Sequence, residues 1–334
     1  MSALAKPRPE LREALFPKQV LAWYDAHARD LPWRDSRDPY RVWVSEIMLQ
    51  QTRVAAVIAH YHEFLRRFPT VQKLAAARAA SVLAAWSGLG YYRRARMLHA
   101  AAKVVARERG GTFPHTAAQW RELPGIGRYT AAAIASIAFG ECVALVDGNV
   151  ERVLQRVSGE RLAGESLWNA AESLLDRGRP GDFNQALMEL GATVCTPRTP
   201  ACLTCPVINL CTARGELAGI EKPPRQKRRE IHYALAVRDG EVWLVQRTQD
   251  ASLMAGMWEL PEIPAPGNHS KHAFTLRHSI TVTDYTVKVW QMPVAGEVGG
   301  KWIGLGRMNK IPLTGLARKI LRNAQLLALP AEPH

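Results

Sequence analysis

Four residues, Pro124-Gly125-Ile126-Gly127, do most to restrict what this chain can become, because they interrupt a helical pattern that resumes at once. Upstream, Thr116 with Gln119 three residues on is a capping-box pattern that starts a short helix. Pro124 and Gly125 end it. Downstream, a second helix begins near Arg128, is built of Ala131, Ala132, Ala133, Ala135 and Ala138, and stops at Gly140. The segment therefore reads as two helices joined by a glycine-rich turn. Backbone N–H groups at the second helix's N-terminus favour an anion there, and a phosphate fits. A Cβ at Gly125 or Gly127 would hold that phosphate away. An ordinary helical hairpin uses the same turn, so the turn alone does not decide. Beyond it, Val143 to Val146 is a short extended apolar run. It delivers Asp147 to the start of the helix GNVERVLQRV, where an aspartate is a good N-cap.

Charge points to a polyanionic partner. The chain has 334 residues, 47% hydrophobic, with net charge +14 and a pI near 9.9. Residues 1–230 hold 33 Lys and Arg against 22 acidic residues, and 231–334 hold 11 against 8. The basic excess thus lies mostly with the first part. No apolar run approaches the roughly 20 residues of a membrane span. The segment MSALAKPRPELREALF lacks a signal-peptide core and cleavage site. These features lead us to expect a cytoplasmic, nucleoid-associated protein with no membrane partner.

Four of the five cysteines, Cys195, Cys202, Cys205 and Cys211, fall within 17 residues in a C-x6-C-x2-C-x5-C pattern. Disulfides do not suit a reducing compartment. Four thiolates suit zinc or an iron–sulfur cluster, and the spacing does not choose between them. Cys142 stands apart and is expected to be a small buried hydrophobe.

Helical periodicity extends through almost all of residues 1–213. A helix is expected over 11–28, then the turn Leu31-Pro32-Trp33-Arg34-Asp35. Asp38-Pro39 is an N-cap followed by proline at the first helical position. That helix carries Glu46 among Trp43, Val44, Ile47 and Met48 and reaches Gln50-Gln51. Further helices are expected over about 54–65, 70–86 and 92–108, with Gly88-Leu89-Gly90-Tyr91-Tyr92 before the last of these. After the hairpin unit come helices near 148–157, 166–176 and 183–190. Residues 216–230 form a basic, proline-containing linker. The period then becomes two. Ala234 to Val237, Asp239-Gly240 and Val242 to Val245 form a hairpin with a type I′ turn signal. Another strand pattern runs from Thr281 to Trp290, and a final helix follows Pro312 and Thr314.

Glu46 is the first candidate for chemistry. A carboxyl in apolar surroundings is costly to ionise, which raises its pKa and suits it to act as a general acid near neutral pH. A glutamate on the wet face of an amphipathic helix is the plainer alternative.

The hairpin with Val146-Asp147-Gly148-Asn149-Val150 resembles the helix-hairpin-helix DNA glycosylase superfamily. Within it, Ser45-Glu46-Ile47-Met48-Leu49-Gln50-Gln51-Thr52 resembles the MutY-type adenine DNA glycosylases. So do Leu31 to Arg34, Gly88 to Tyr92, Leu123 to Thr130 and the cysteine loop, covering about residues 20–213.

The resemblance implies a mostly α fold: a six-helix barrel over about 30–137, and an iron–sulfur domain of the N-terminal helix plus 138–215. The whole glycosylase region is 1–215, followed by the linker 216–230 and an α+β Nudix-like domain over 231–334. It implies a monomer acting on duplex DNA that contains an adenine mispaired with 8-oxoguanine or guanine. The base is extruded, because its glycosidic bond is inaccessible inside the duplex. Glu46 is implied as the acid that protonates adenine. Asp147 is implied as the carboxylate that stabilises the sugar cation, electrostatically or by covalent attack. Tyr129 and Asn149 are implied to support Asp147 and the intermediate. Trp33, Arg34 and Gln185 are implied to line the adenine pocket. Gln51, Leu89 and Tyr91 are implied as further substrate contacts, Gln51 and Tyr91 by wedging into the DNA stack. Gly125, Gly127 and Arg198 are implied to meet phosphates. Tyr92 is left to core packing. The resemblance also selects a [4Fe–4S] cluster on Cys195, Cys202, Cys205 and Cys211.

Two departures matter. Endonuclease III-type enzymes carry a lysine where this chain has Tyr129, and lysine is the amine of the lyase step. Its absence implies a monofunctional glycosylase. The Nudix-like domain lacks the acidic metal-binding helix, so it is expected to recognise rather than hydrolyse. Nor does it show the Phe-Ser-His loop that members use to read 8-oxoguanine. Aligning Arg277-His278 places Ile280-Thr281-Val282 there, leaving Thr281 to hydrogen-bond. Aligning Phe274-Thr275-Leu276 keeps the aromatic and the hydroxyl. The first register is favoured, because the Thr281–Trp290 strand continues from it. The rival functions are an endonuclease III-like lyase, a non-enzymatic iron–sulfur DNA-binding protein and a Nudix hydrolase.

Overall fold

The computed structural model describes residues 9–214, 227–251, 253–266, 271–280, 283–293 and 299–327. Its helices are α1 (Pro9–His27), α2 (Pro39–Leu49), α3 (Val54–Arg67), α4 (Val71–Ala76), α5 (Ala79–Trp86), α6 (Arg93–Glu108), α7 (Ala117–Trp120), α8 (Arg128–Phe139), α9 (Gly148–Ser158), α10 (Glu165–Ser173), α11 (Pro180–Thr193) and α12 (Gly315–Asn323). Its strands are β1 (Lys227–Leu235), β2 (Val237–Arg238), β3 (Glu241–Gln246), β4 (Trp258–Glu259), β5 (Glu262–Ile263), β6 (Lys271–Ile280), β7 (Thr283–Gln291) and β8 (Gly300–Gly304). The chain packs as two compact units, Met1–Gln50 with Val104–Glu221 and Gln51–Lys103 with Lys222–His334.

The first unit is helical and centred on α8. Its run of alanines lets α2 and α11 approach closely, and Ala131, Ala133, Ile134 and Ala135 are wholly buried. At the crossing of α11 and α8 a Cβ on Gly181 would lie 2.5 Å from the Ser136 carbonyl oxygen, so only glycine fits. The expected local signals are present. Thr116 and Gln119 form a capping box for α7, Gly127 precedes α8, and Gly140 ends it in the left-handed conformation. Asp38 caps α2, with Pro39 at its first position.

In the second unit α3 packs on α5, with Phe64 edge-on to Trp86 at 5.8 Å. The expected helix over 70–86 is instead α4 and α5, separated by extended backbone at Ala77 and Arg78. The C-terminal region holds a mixed sheet of order β5-β1-β7-β6, in which β1 runs parallel to β7, and a smaller sheet with β3 between β2, β4 and β8. Val242, Leu244, Val287, Val289, Leu313 and Ile320 form its core, so the region is α+β as expected. Asp239 and Gly240 both have positive φ and turn β2 into β3, which a type I′ turn requires. Strand β6 was not legible in the sequence. It is an edge strand with a register shift between His272 and Phe274.

Candidate active site

Asp147 reaches its place on a strap. Residues Val143 to Val146 join no sheet or helix among the described residues. Val143 N–H donates to the Glu141 carbonyl at 2.9 Å, and side chains hold much of the rest. Leu145 N–H donates to Asn184 Oδ1 at 3.3 Å, and Asn184 Nδ2 donates to Val143 O and to Ser136 Oγ, both at 2.9 Å. Ala144 N–H donates to Glu172 Oε2 at 3.1 Å. The strap ends in the N-cap of α9. There Asp147 Oδ1 accepts from Asn149 N and Val150 N at 2.9 and 2.8 Å, and Oδ2 accepts from Asn149 Nδ2 at 2.9 Å. Both carboxylate oxygens are thereby oriented.

Asn149 is itself fixed. Its Oδ1 accepts from Arg152 Nη2 at 2.9 Å, while Arg152 Nε donates to Cys195 O at 2.7 Å and Nη2 to Gly191 O at 2.7 Å. On α11, a Cβ at Gly191 would fall 2.6 Å from Asn149 Cβ, so glycine is required where α11 meets α9.

Glu46 lies on the inward face of α2 and is 5% exposed. Burial lifts its carboxyl from the ordinary 4.5 to about 7. The Tyr129 hydroxyl pulls the other way, Asp147 adds to the rise, and Arg34 opposes it. Tyr129 Oη is 2.8 Å from Glu46 Oε2 and 3.2 Å from Met188 Sδ. Burial raises the tyrosine's own pKa, so it stays a neutral phenol.

A second buried carboxylate, Glu189 on α11, has the opposite character. Burial raises its pKa, but Arg29 and Arg34 more than reverse that and hold it at about 2. Arg29 Nε and Nη2 donate to its two oxygens at 2.6 and 2.9 Å, and Arg34 Nη2 donates to Oε2 at 2.8 Å. Arg34 also donates to Arg29 O at 2.9 Å and sits 5.3 Å from the Tyr24 ring centroid. Two buried glutamates with pKa values pushed apart can hold different protonation states at neutral pH. Sequence reading missed Glu189 and Arg29. The apolar neighbours that singled out Glu46 were also present around Glu189, in Ala186-Leu187-Met188-Glu189-Leu190.

The first unit thus brings together Glu46, Tyr129, Asp147, Asn149 and Arg34. Gln185, half-buried, lies one turn before Met188 and Glu189 on α11. Trp33 is buried. Gly125 has φ 76°, and Gly125 and Gly127 are both exposed in the turn before α8. Arg198 is exposed in the cysteine loop.

Gln51, Leu89 and Tyr91 belong to the second unit. Gln51 and Tyr91 both have left-handed backbones, with φ 55° and 45°, which is unusual for such side chains. Tyr91 is 49% exposed, whereas Leu89 and Tyr92 are buried. Arg94 holds these segments, donating to Thr52 Oγ1, Leu89 O and Gly90 O at 3.0 to 3.3 Å, with its guanidinium 5.3 Å from the Tyr91 ring centroid. Ile280 ends β6 and pairs with Thr283, the first residue of β7. Thr281 lies outside the described residues.

Cys195, Cys202, Cys205 and Cys211 line one apolar pocket with Val153 and Leu190. Among the described residues no group of three or more His, Cys, Asp or Glu side chains is arranged to hold a single metal ion. Four cysteines lining one pocket are a donor set that zinc or an iron–sulfur cluster would take. Burial pushes the Cys205 thiol up to about 11, so thiolates there need a bound cation. The loop is strapped to α9 by buried Arg156, which donates to Thr196 O and Pro197 O at 2.8 and 3.1 Å. Cys142, expected to be buried, is exposed, its thiol 3.4 Å from Arg177 O. It lies two residues past Gly140, the left-handed C-cap of α8. Among the described residues no helix is long and apolar enough to cross a membrane.

Residues 44–166 match the model of the HhH-GPD superfamily base excision DNA repair proteins. The chain is 36% identical to the adenine DNA glycosylase of Homo sapiens, over 92% of this chain and 73% of that protein. The structure is similar to that of a thermostable thymine-DNA glycosylase, with TM-score 0.58 and 32% identity over 61% of this chain and 97% of that one. It also shares the fold of an endonuclease III bound non-covalently to DNA, with TM-score 0.55 and 20% identity over 62% and 97%.

Proposed function

Because this chain belongs to the adenine DNA glycosylase family, a family of DNA repair enzymes acting on N-glycosyl bonds, we propose that it hydrolyses the bond joining adenine to deoxyribose where adenine is mispaired with 8-oxoguanine or guanine in duplex DNA. The observation that carries this reading is the pairing of a buried Glu46, half protonated near pH 7, with a neighbouring Asp147 whose two oxygens are fixed.

Adenine is a poor leaving group until it is protonated. Glu46 supplies that proton to the ring of the extruded base. As the glycosidic bond lengthens, positive charge develops on the sugar. Asp147 faces it with a carboxylate already oriented by α9 and Asn149, so little reorganisation is needed. The same carboxylate can also close on the sugar carbon as a nucleophile. Ionised Glu46 then takes a proton from the attacking water. The Tyr129 hydroxyl donates to the Glu46 carboxylate at that stage. A phenol that stays neutral offers no amine for a Schiff base, which supports a monofunctional glycosylase.

Arg34 and Glu189, with Trp33 and Gln185, form the adenine pocket, and Gln51, Leu89 and Tyr91 contact the DNA from which the base leaves. Gly125, Gly127 and Arg198 approach phosphates, and the C-terminal α+β region reads the base opposite, with Thr281 as its polar contact. The protein works as a monomer in the compartment that holds the chromosome. Cys195, Cys202, Cys205 and Cys211 hold a [4Fe–4S] cluster, which anchors the loop carrying Arg198.

Single-turnover release of adenine from duplexes with 8-oxoguanine, guanine or thymine opposite tests the reading. Release opposite the two purines is expected, without strand cleavage. A borohydride-trapped covalent adduct on abasic DNA, or no release at all, counts against it.

A further inference from the structure

Two ends of one loop meet at a single carbonyl group in the second unit. Leu313 O accepts from the Ser87 hydroxyl at 2.6 Å and from the Tyr92 hydroxyl at 3.1 Å. Ser87 and Tyr92 flank the segment that presents Tyr91. Arg318, on α12, donates Nε to Ser87 Oγ at 2.6 Å, so the hydroxyl accepts from the arginine and donates to the carbonyl. Ser87, Tyr92, Leu313 and Arg318 are all buried. Leu313 is held in turn by a bridge to Trp258, with Thr314 N donating to Trp258 O at 2.9 Å. The next residue of α12 points elsewhere: Lys319 Nζ donates to Arg277 O, in β6, at 2.5 Å. One helix therefore grips the loop with Arg318 and the strand with Lys319.

A buried guanidinium is costly when its partners are neutral. Here they are a hydroxyl and, at 3.4 Å, the Asn309 amide oxygen. An apolar side chain would fill this place more cheaply if packing were its whole purpose. The loop it fixes carries an exposed aromatic on a left-handed backbone, a conformation that persists only where its surroundings over-determine it.

We propose that α12 couples the β6–β7 pair to the loop 87–92: Arg318 and Ser87 are positioning residues that set Tyr91 for insertion into the DNA stack, so that engagement of the opposite base promotes extrusion of adenine. The proposal rests on the glycosylase reading above.

The test uses the full-length protein and a duplex with 2-aminopurine in place of the target adenine, whose fluorescence rises on unstacking. Opposite 8-oxoguanine, Arg318→Met and Ser87→Ala should slow that rise about tenfold, the effect of losing one buried hydrogen bond of about 1.4 kcal/mol. They should also narrow the ratio of extrusion rates opposite 8-oxoguanine and guanine, which a general loss of stability does not do. Exposed Lys319→Met should narrow the same ratio. Adding Arg318→Met or Ser87→Ala to Tyr91→Ala should cost nothing further. If Arg318→Met does not fold, judged by circular dichroism, Ser87→Ala and Lys319→Met decide. Wild-type extrusion rates and ratio in the folded variants, or losses that multiply with Tyr91→Ala, overturn the coupling. Excision of adenine by the wild-type protein is scored separately. Its absence would overturn the enzymatic reading, while the fluorescence still reads the coupling.

Discussion

The Tyr129 hydroxyl lies 2.8 Å from the Glu46 carboxylate and 3.2 Å from the Met188 sulfur, and it has one proton for two acceptors. When Glu46 is ionised the proton points to the carboxylate. When Glu46 is protonated, the carboxyl can donate to the phenol oxygen and leave the phenol proton to the sulfur. Tyr129→Phe removes a contact that lowers the Glu46 pKa. As the proposed acid, Glu46 must be protonated to act, so the rate should fall as pH rises through that pKa. In the variant this alkaline limb should move to higher pH, by about one unit, the worth of one charge-assisted hydrogen bond. Single-turnover rates from pH 5 to pH 9 measure it, and a limb that stays put or moves down removes Tyr129 from the control of Glu46.

Glu46→Gln should abolish excision and leave duplex binding intact, because no phosphate contact is lost. It should also stabilise the fold in a pH-dependent way. Below pH 4.5 the native and unfolded carboxyls are both protonated, and the buried neutral group costs nothing. Between 4.5 and about 7 the unfolded chain ionises while the native one does not, so stability is lost as pH rises. The glutamine variant should therefore gain nothing at pH 4 and about 3 kcal/mol above pH 7. Denaturant midpoints at both pH values decide, and a gain that does not vary with pH contradicts the assignment.

Asp147→Asn keeps an oxygen for the Asn149 and Val150 N–H groups, so the cap survives, although its new amide nitrogen faces the Asn149 Nδ2 donor in place of Oδ2. The charge proposed to face the sugar does not survive. Excision should fall by at least about a hundredfold, the usual result of deleting a preorganised electrostatic contact. A folded variant with wild-type turnover would reduce Asp147 to a helix cap.

Gly191→Ala introduces a methyl group 2.6 Å from Asn149 Cβ and 2.9 Å from its carbonyl oxygen. The resulting overlap should cost about 1–3 kcal/mol of stability. It should also displace the Asn149 amide from Asp147, so excision drops more than thermal stability explains. Measuring the rate well below the variant's melting temperature separates the two effects.

Purified protein should contain about four irons per chain, one cuboidal cluster. Stoichiometric zinc without iron would overturn the [4Fe–4S] assignment.

The features legible in the sequence are local ones. The Asp147 and Asp38 caps, the Thr116 capping box, the Asp239-Gly240 turn and the burial of Glu46 each depend on residues within a few positions. What escaped is non-local. Arg29 meets Glu189 from 160 residues away, Asn184 reaches back about 40 residues to Val143, and Gly191 is needed only because α9 crosses there. The break between α4 and α5 carries neither proline nor glycine, so periodicity runs across it. Strand β6 alternates only from Phe274 onward, with the polar His278 on its inward side, and its register shifts between His272 and Phe274, so the apolar period is short.

Asn184 has a bearing on which inherited changes this protein can survive. It touches no atom proposed to react, yet the strap ending at Asp147 depends on an amide that offers a donor on one side and an acceptor on the other. Aspartate has the same shape but turns the donor into a second acceptor, opposing the Val143 carbonyl inside a dry core. Lineages that keep the activity should therefore be intolerant of even that one-atom exchange. A screen of random missense variants should recover position 184 among the inactive class as often as the two carboxylates themselves.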